Sequence, residues 1–430
     1  MNSKQDIIIV GAGAAGLLAL KELTSSGQQV CLLEASHRAG GRIATVCDEL
    51  FSGATELGAE FIHGKAPITM TLLAEAGIRF YETEGKMINF QHGVWPDEGT
   101  EDSGFNSLQL KFESLTADCT IREFLDEHFP GKEYGALRAI VRQFAEGFAL
   151  ADIEKASALF LKNEWMHQDE PQYRIEGGYS RLARYLLESA NPSNYEVHYN
   201  SRVKEIALGN TGVSVITNDG ERYQARKVIV TVSAAILKQG DIIFSGLPGI
   251  YQTAMQQLAF GSVIKFLFEF KNAFWKERYP NAGFMLSNER VPTWWTQLPQ
   301  DRPLLTGWLG GPPATTLGSS STGKLLDIAL ESLSNIFKSD PATLRGELVH
   351  HRIIKWEDHP FARCGYSYKN IDADAFRKIL LRPVADSLYF AGEALSLGHF
   401  QSTVEAAFET AKAAVELIKK YPATSSHSPQ

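Results

Sequence analysis

Apolar positions along this chain recur with two different spacings, and the points where one gives way to the other mark its elements. Ile7-Ile8-Ile9-Val10 is an unbroken apolar run, the pattern of a strand buried on both faces, and it leads at once through Gly11-Ala12-Gly13-Ala14-Ala15-Gly16-Leu17 into a helix. Val30-Cys31-Leu32-Leu33 is a second such strand. Helical spacing predicts segments from Pro67 to Ala76, with proline in the first turn, and near 121–128 and 134–146. Ser180 is expected to cap a further helix carrying Leu182, Tyr185, Leu186 and Leu187. From about residue 195 the period falls to two: Val213 and Val215, the turn Asn218-Asp219-Gly220 and the run Val228-Ile229-Val230 predict a meander. A strand over Ser262 to Phe270 puts Ile264, Phe266, Phe268 and Phe270 on one face and Lys265 with Glu269 on the other. A helix around Lys324 to Phe337, a strand near Leu348 to Trp356, a strand leading into Ala391-Gly392-Glu393 and a helix from about Thr403 to Lys420 complete the chain. Ser402 and Glu405 have the Ser-x-x-Glu spacing of a capping box for that last helix.

The three glycines between the first strand and first helix predict a dinucleotide site. Gly11 permits the tight turn, Gly13 lets backbone N–H groups approach a pyrophosphate, and Gly16 lets helix and strand pack closely, with the phosphate on the positive end of the helix. Glu34, about twenty residues further on, is placed to accept hydrogen bonds from ribose hydroxyls. An acidic group there argues against a 2′-phosphorylated nucleotide but leaves NAD and FAD both open.

At 430 residues the chain exceeds the size of a usual single core, so two domains are expected. Nucleotide-like strands at both ends imply that the domains are interleaved. A hydrophobic fraction of 44% with 21% charged residues fits a soluble globular protein, and a net charge of −8 argues against nucleic acid as a partner. The start, Met1 to Asp6, leaves no room for a leader, the apolar runs are broken by charge before they reach membrane-spanning length, and Tyr421 to Gln430 is a polar tail. A cytoplasmic protein without membrane contact is the expectation. Cys31, Cys47, Cys119 and Cys364 lack paired metal-ligand spacing, and His350-His351 in a strand point to opposite faces, so no metal site is expected.

Leu32-Leu33-Glu34-Ala35 with Gly40-Gly41-Arg42, and Tyr389-Phe390-Ala391-Gly392-Glu393, resemble the flavin-containing amine oxidases, which include monoamine and polyamine oxidases. Gly261-Ser262-Val263-Ile264-Lys265, continuing to Phe274-Trp275-Lys276, resembles the monoamine oxidases, whereas Leu57-Gly58-Ala59-Glu60-Phe61-Ile62-His63-Gly64 is more similar to polyamine and spermine oxidases. The resemblance runs in order from residue 6 to about 418. It implies an α/β fold of the amine oxidase type, with a Rossmann-like FAD-binding domain (1–80, 190–262 and 357–420) interleaved with an α+β substrate domain (81–189 and 263–356), followed by the tail 421–430. It also implies oxidation of a small-molecule amine by hydride transfer to flavin N5, imine hydrolysis, and reoxidation by O2 with release of hydrogen peroxide.

Carried over position by position, the resemblance implies FAD contacts from Gly11, Gly13, Ala15, Gly16, Glu34, Ala35, Gly41, Arg42, Gly58, Ala59, Glu60, Val203, Trp356, Gly392, Glu393, Thr403 and Val404. Gly392-Glu393 favours FAD over NAD, since a carboxylate there resembles the family's contact to the ribityl chain. Lys265 reads from pattern alone as part of a solvated polar face with Glu269; the resemblance instead gives it a water beside flavin N5. Tyr366 matches a tyrosine of the monoamine oxidases' aromatic cage, whose second tyrosine aligns with Thr403. The cysteine that anchors FAD covalently in monoamine oxidases aligns with Gly365, one residue from Cys364, which implies non-covalent FAD. His63 aligns with an active-site histidine of polyamine oxidases, and Glu60 and Glu146 are candidates to attract a second ammonium. Three alternatives stay open: a dehydrogenase or desaturase on the same fold, an amino-acid oxidase using Arg174 or Arg363 against a carboxylate, and a non-catalytic flavin-binding module.

Overall fold

A computed structural model describes residues 5–90, 105–167, 170–210 and 212–420; the first four residues and the polar tail 421–430 lie outside them. The strand Gln5–Val10 sits inside an eight-stranded sheet, parallel to Val30–Leu33 on one side and to Arg222–Val230 on the other, with Ile8 opposite both Cys31 and Val228. That placement explains its unbroken apolar run, since both faces are covered. On one face lie the helices Ala14–Ser25, Pro67–Ala76, Ser180–Glu188 and Val404–Lys420. On the other are Ala234–Gln239, Gly249–Gln256 and Ala373–Leu380. The meander is present as Val203–Gly209, Gly212–Thr217 and Arg222–Val230. Leu388–Phe390 returns from the far end of the chain to pair with Arg222–Val230.

A second sheet of six strands runs in the order Leu348–Lys355, Val263–Phe270, Leu304–Gly310, Thr293–Trp295, Ala282–Ser287, Lys86–Phe90. Ile264, Phe266, Phe268 and Phe270 pack against the helix Thr322–Phe337, whose cap is Ser321. The opposite face differs from the solvated one its Lys265 and Glu269 suggested. Both side chains are buried, Leu267 packs on Phe51 and Leu304, and Glu269 accepts from the Ser52 amide. The loop carrying Phe51 and Ser52 covers this face, which the alternation of one strand could not reveal.

A helical layer built from Phe105–Ser114, Ile121–His128, Gly135–Gln143 and Ala158–Met166 surrounds a core of Phe112, Phe124 and Phe129. The segment expected as one helix over 134–146 changes after Gln143 into a π-helical turn, Phe144–Phe148. Two capping expectations are corrected. Ser180 lies inside its helix, and its hydroxyl accepts from the Thr45 amide. Ser402 has a left-handed φ of 64° and donates to the Ser367 carbonyl, while Thr403 accepts from the Ala406 amide and caps the closing helix. Glu405 turns away to Ile68 and Thr69, because two backbone amides and a hydroxyl there offer a carboxylate more than the helix start does.

Candidate active site

The glycine loop folds as its spacing requires. Gly11 has φ +105°, a conformation open mainly to glycine, and a Cβ there would meet the Thr231 hydroxyl at 2.8 Å. A Cβ at Gly13 would meet nothing within 4 Å, so this backbone faces open space. Glu34 is buried, with its oxygens accepting from the amides of Ala12 (2.7 Å) and Ser36 (2.8 Å). Burial raises its carboxyl above the ordinary value, against the pull of those amides. These groups open into a cavity of about 880 Å³, at the upper end of the roughly 300–1,000 Å³ of ligand clefts.

The same cavity is walled by Ala15, Ala35, Gly41, Arg42, Gly58, Ala59, Val203, Trp356, Gly392, Glu393, Thr403 and Val404. Arg42 reaches across the chain to the Gly365 carbonyl and Glu393 (2.8 and 2.9 Å), and Glu393 also accepts from the Ser367 hydroxyl at 2.6 Å. Trp356 donates to the Leu57 carbonyl, and a Cβ on Gly58 would fall 2.9 Å from its ring. Gly16 does not line the cavity. A Cβ there would sit 1.9 Å from the Gly11 carbonyl oxygen, so this glycine lets the helix pack close beneath the loop.

Lys265, Tyr366 and His63 face the cavity from different elements. Lys265 is 1% exposed; its Nζ lies 2.7 Å from Glu60 and 3.2 Å from the Gly58 carbonyl. Glu60 also accepts from Arg174 Nε at 3.0 Å and Trp295 Nε1 at 2.9 Å. Burial alone would raise its carboxyl, but Lys265 and Arg174 hold it below the ordinary value. Glu60, expected to attract a substrate ammonium, is placed by the structure as a counter-ion paired with both Lys265 and Arg174.

The wall beside Lys265 is aromatic. Its cross-strand neighbour Trp308 lies nearly parallel to Tyr366, ring centres 6.3 Å apart, and donates to the Gly147 carbonyl. The Tyr366 hydroxyl donates to the Phe148 carbonyl. His63 packs between Phe61 and Phe148, and burial lowers it to about 4. Glu164, from Ala158–Met166, also lines the cavity; burial pushes it up to about 7, and its Oε1 has no hydrogen-bond partner among the described residues.

Other candidates lie elsewhere. Glu146 does not line the cavity. Cys364 is buried outside it, and a Cβ on Gly365 would come within 2.5 Å of Leu150 Cδ1. Arg174 is committed to Glu60 and to the carbonyls of Thr296 and Leu298, and Arg363 to Gln239 and Asp241, so neither is free for a substrate carboxylate. Trp295, Trp308 and Glu164 were missed from sequence. Only Trp308 left a signal, as a bulky aromatic in the strand run that pairs with the Lys265 strand. No cysteine spacing announced a further group, Cys31 with Glu196 and His198, whose ligand atoms lie within 4.8 Å of one another.

A family model for flavin-containing amine oxidoreductases matches residues 14–127 and 98–419. The chain belongs to the flavin-containing amine oxidoreductase family. Its fold is that of the amine oxidases and its cofactor is FAD. The residues fit that group: one cavity is lined both by an acidic side chain with a glycine loop and by a buried lysine among aromatics. Putrescine oxidase in complex with putrescine superposes with a TM-score of 0.82, at 19% identity over 97% of this chain and 99% of that one. Polyamine oxidase 4 of Oryza sativa subsp. japonica is 24% identical over 97% of this chain and 89% of its own length. Lysine-specific histone demethylase 1 homolog 3 of Arabidopsis thaliana is 27% identical over 96% of this chain, and this chain covers 30% of that relative. The chain spans about half the length, or less, of the first curated relatives it matches. Among the described residues no helix is long and apolar enough to cross a membrane.

Proposed function

We propose that this amine oxidoreductase is an oxidase for an amine whose apolar body carries a second basic nitrogen. For a primary amine the overall reaction is R–CH2–NH2 + O2 + H2O giving R–CHO + NH3 + H2O2: the carbon next to nitrogen loses two electrons and O2 gains them. Bound FAD supplies the two-electron chemistry that links these halves. The reading is carried by one observation, that the dinucleotide cradle and the cluster Lys265, Tyr366 and Trp308 open into a single cavity.

The chain's own residues have separable tasks in this reading. Tyr366 and Trp308 present flat apolar surfaces to the amine's carbon skeleton and keep water from the reacting carbon. His63, neutral at physiological pH, offers a ring nitrogen that can accept an N–H from the incoming amine. Glu60 holds Lys265 at the cavity wall, where its one remaining donor can orient a water. Glu164, whose Oε1 has no hydrogen-bond partner among the described residues, offers a carboxylate oxygen to a distal ammonium.

The curated demethylase relatives favour a second reading, in which the amine is an N-methylated lysine side chain. Purified holoprotein is mixed anaerobically with putrescine, spermidine, benzylamine and an N-methyl-lysine peptide, and flavin bleaching is followed; oxygen is then admitted and peroxide measured. Rapid bleaching by the diamine or polyamine, with stoichiometric peroxide, is expected. Bleaching by the peptide alone establishes the second reading, and a yellow protein that no amine bleaches defeats both.

A further inference from the structure

We propose that Cys31, Glu196 and His198 form a binding site for a borderline-soft divalent cation such as Zn2+, at the edge of the eight-stranded sheet and apart from the cofactor cavity. The site follows from register. Tyr195–His198 is the last strand of that sheet and runs parallel to Val30–Leu33, with Cys31 opposite Glu196 and Leu33 opposite His198. Alternation then puts Cys31, Glu196 and His198 on one face, two of them on adjacent strands and the third one step along. Their ligand atoms, a sulfur, a carboxylate oxygen and an imidazole nitrogen, lie within 4.8 Å of one another. None of the three lines the cofactor cavity.

Two observations separate this cluster from an ordinary polar contact. His198 Nε2 is shielded from solvent and has no hydrogen-bond partner among the described residues, although Glu196 Oε1 stands 3.5 Å away. A buried imidazole nitrogen left unpaired is costly, and a metal satisfies it. The His198 ring is also oriented by the Tyr223 ring at 5.3 Å. Gln5 Nε2 donates to Glu196 Oε1, which leaves the other carboxylate oxygen for a cation. Sulfur, nitrogen and oxygen donors together suit Zn2+, with ligand atoms about 3.5 Å apart around a tetrahedral ion, so side-chain rotations of about 1 Å close the site.

Glu196 is exposed and His198 partly so, which leaves an open side for the cation to enter and for water to be the fourth ligand. On binding, the S–H proton passes to solvent as the sulfur–metal bond forms, with no change in oxidation state. The ion would clamp the outermost strand to Val30–Leu33, the strand that leads into Glu34.

The test uses metal-free holoprotein, equilibrium dialysis against Zn2+, and thermal melts with and without zinc. One bound equivalent and a zinc-dependent rise in Tm are expected. Cys31→Ala and His198→Gln should each weaken binding tenfold or more and abolish the rise, while Cys47→Ala, at an exposed thiol elsewhere, changes neither. Should Cys31→Ala fail to fold, His198→Gln decides alone, because that side chain is part-exposed. Zinc binding undiminished in His198→Gln, absent from the parent protein, or lost with Cys47→Ala overturns the proposal.

Discussion

Glu60 stands 2.7 Å from Lys265 and 3.0 Å from Arg174, so one buried carboxylate is shared by two cations delivered by different strands, Val263–Phe270 and Gln172–Ile175. Removing it leaves both uncompensated, and Glu60→Ala is expected to cost about 3–5 kcal/mol in denaturant unfolding at neutral pH. Glu60→Gln should cost less, since its amide oxygen can still accept from Trp295. The carboxyl's folded value lies below the ordinary 4.5, so its contribution is complete above that pH and is lost as pH falls through the folded value. Acid unfolding curves should therefore separate parent and Glu60→Gln above that value and converge below it.

Lys265→Met removes the cation that faces the cavity while Arg174 and Trp295 continue to hold Glu60. The variant should fold and retain FAD. Amine-dependent flavin reduction or reoxidation should slow by on the order of 10²-fold. Stopped-flow traces superimposing on those of the parent would remove Lys265 from the chemistry.

What could be read in advance was whatever the chain settles over a few residues. The glycine loop, the buried strands beside it and the meander turn are local, and Lys265 stood out as a charge in an apolar strand. The partners of Lys265 could not be read, because Glu60, Arg174 and Trp295 come from three distant segments and meet only when the segment carrying Glu60 and the strand Gln172–Ile175 pack against the six-stranded sheet. Glu405 shows the opposite failure. Its spacing from Ser402 is that of a capping box, yet the amides of Ile68 and Thr69 capture its carboxylate, and local pattern gave way to tertiary contact.

Gly16→Ala tests whether the loop is held from below. The added methyl would lie 1.9 Å from the Gly11 carbonyl and 3.0 Å from the Thr231 hydroxyl, so the loop must move. Overpacking of this kind costs about 1–3 kcal/mol. Purified Gly16→Ala should carry little FAD, measured by the flavin-to-protein absorbance ratio, and should melt below the parent.

The attachment of FAD can be checked directly. Cys364 lies outside the cavity and Gly365 offers no nucleophile, so acid precipitation should leave the polypeptide colourless and all flavin in the supernatant. Yellow colour retained in the pellet would show a covalent bond.

In the proposed reading, Glu164 recognises the second nitrogen. Its carboxyl, pushed up to about 7 by burial despite the opposing pull of Asn163 and Lys369, is neutral below that pH and charged above it. A cationic distal nitrogen therefore gains a partner as pH rises, and the KM for putrescine should fall roughly tenfold between about pH 6 and 8, the equivalent of ~1.4 kcal/mol. The sign for stability is opposite: a carboxyl raised from 4.5 stabilises the fold while neutral, and that contribution is lost as pH climbs toward 7. Glu164→Gln keeps the shape without the charge. It should raise the putrescine KM at pH 8, flatten its pH dependence, and leave the benzylamine KM and both kcat values unchanged. Equal effects on the diamine and the monoamine would mean that Glu164 only shapes the cavity, and no effect on either would withdraw the distal nitrogen from the proposed substrate.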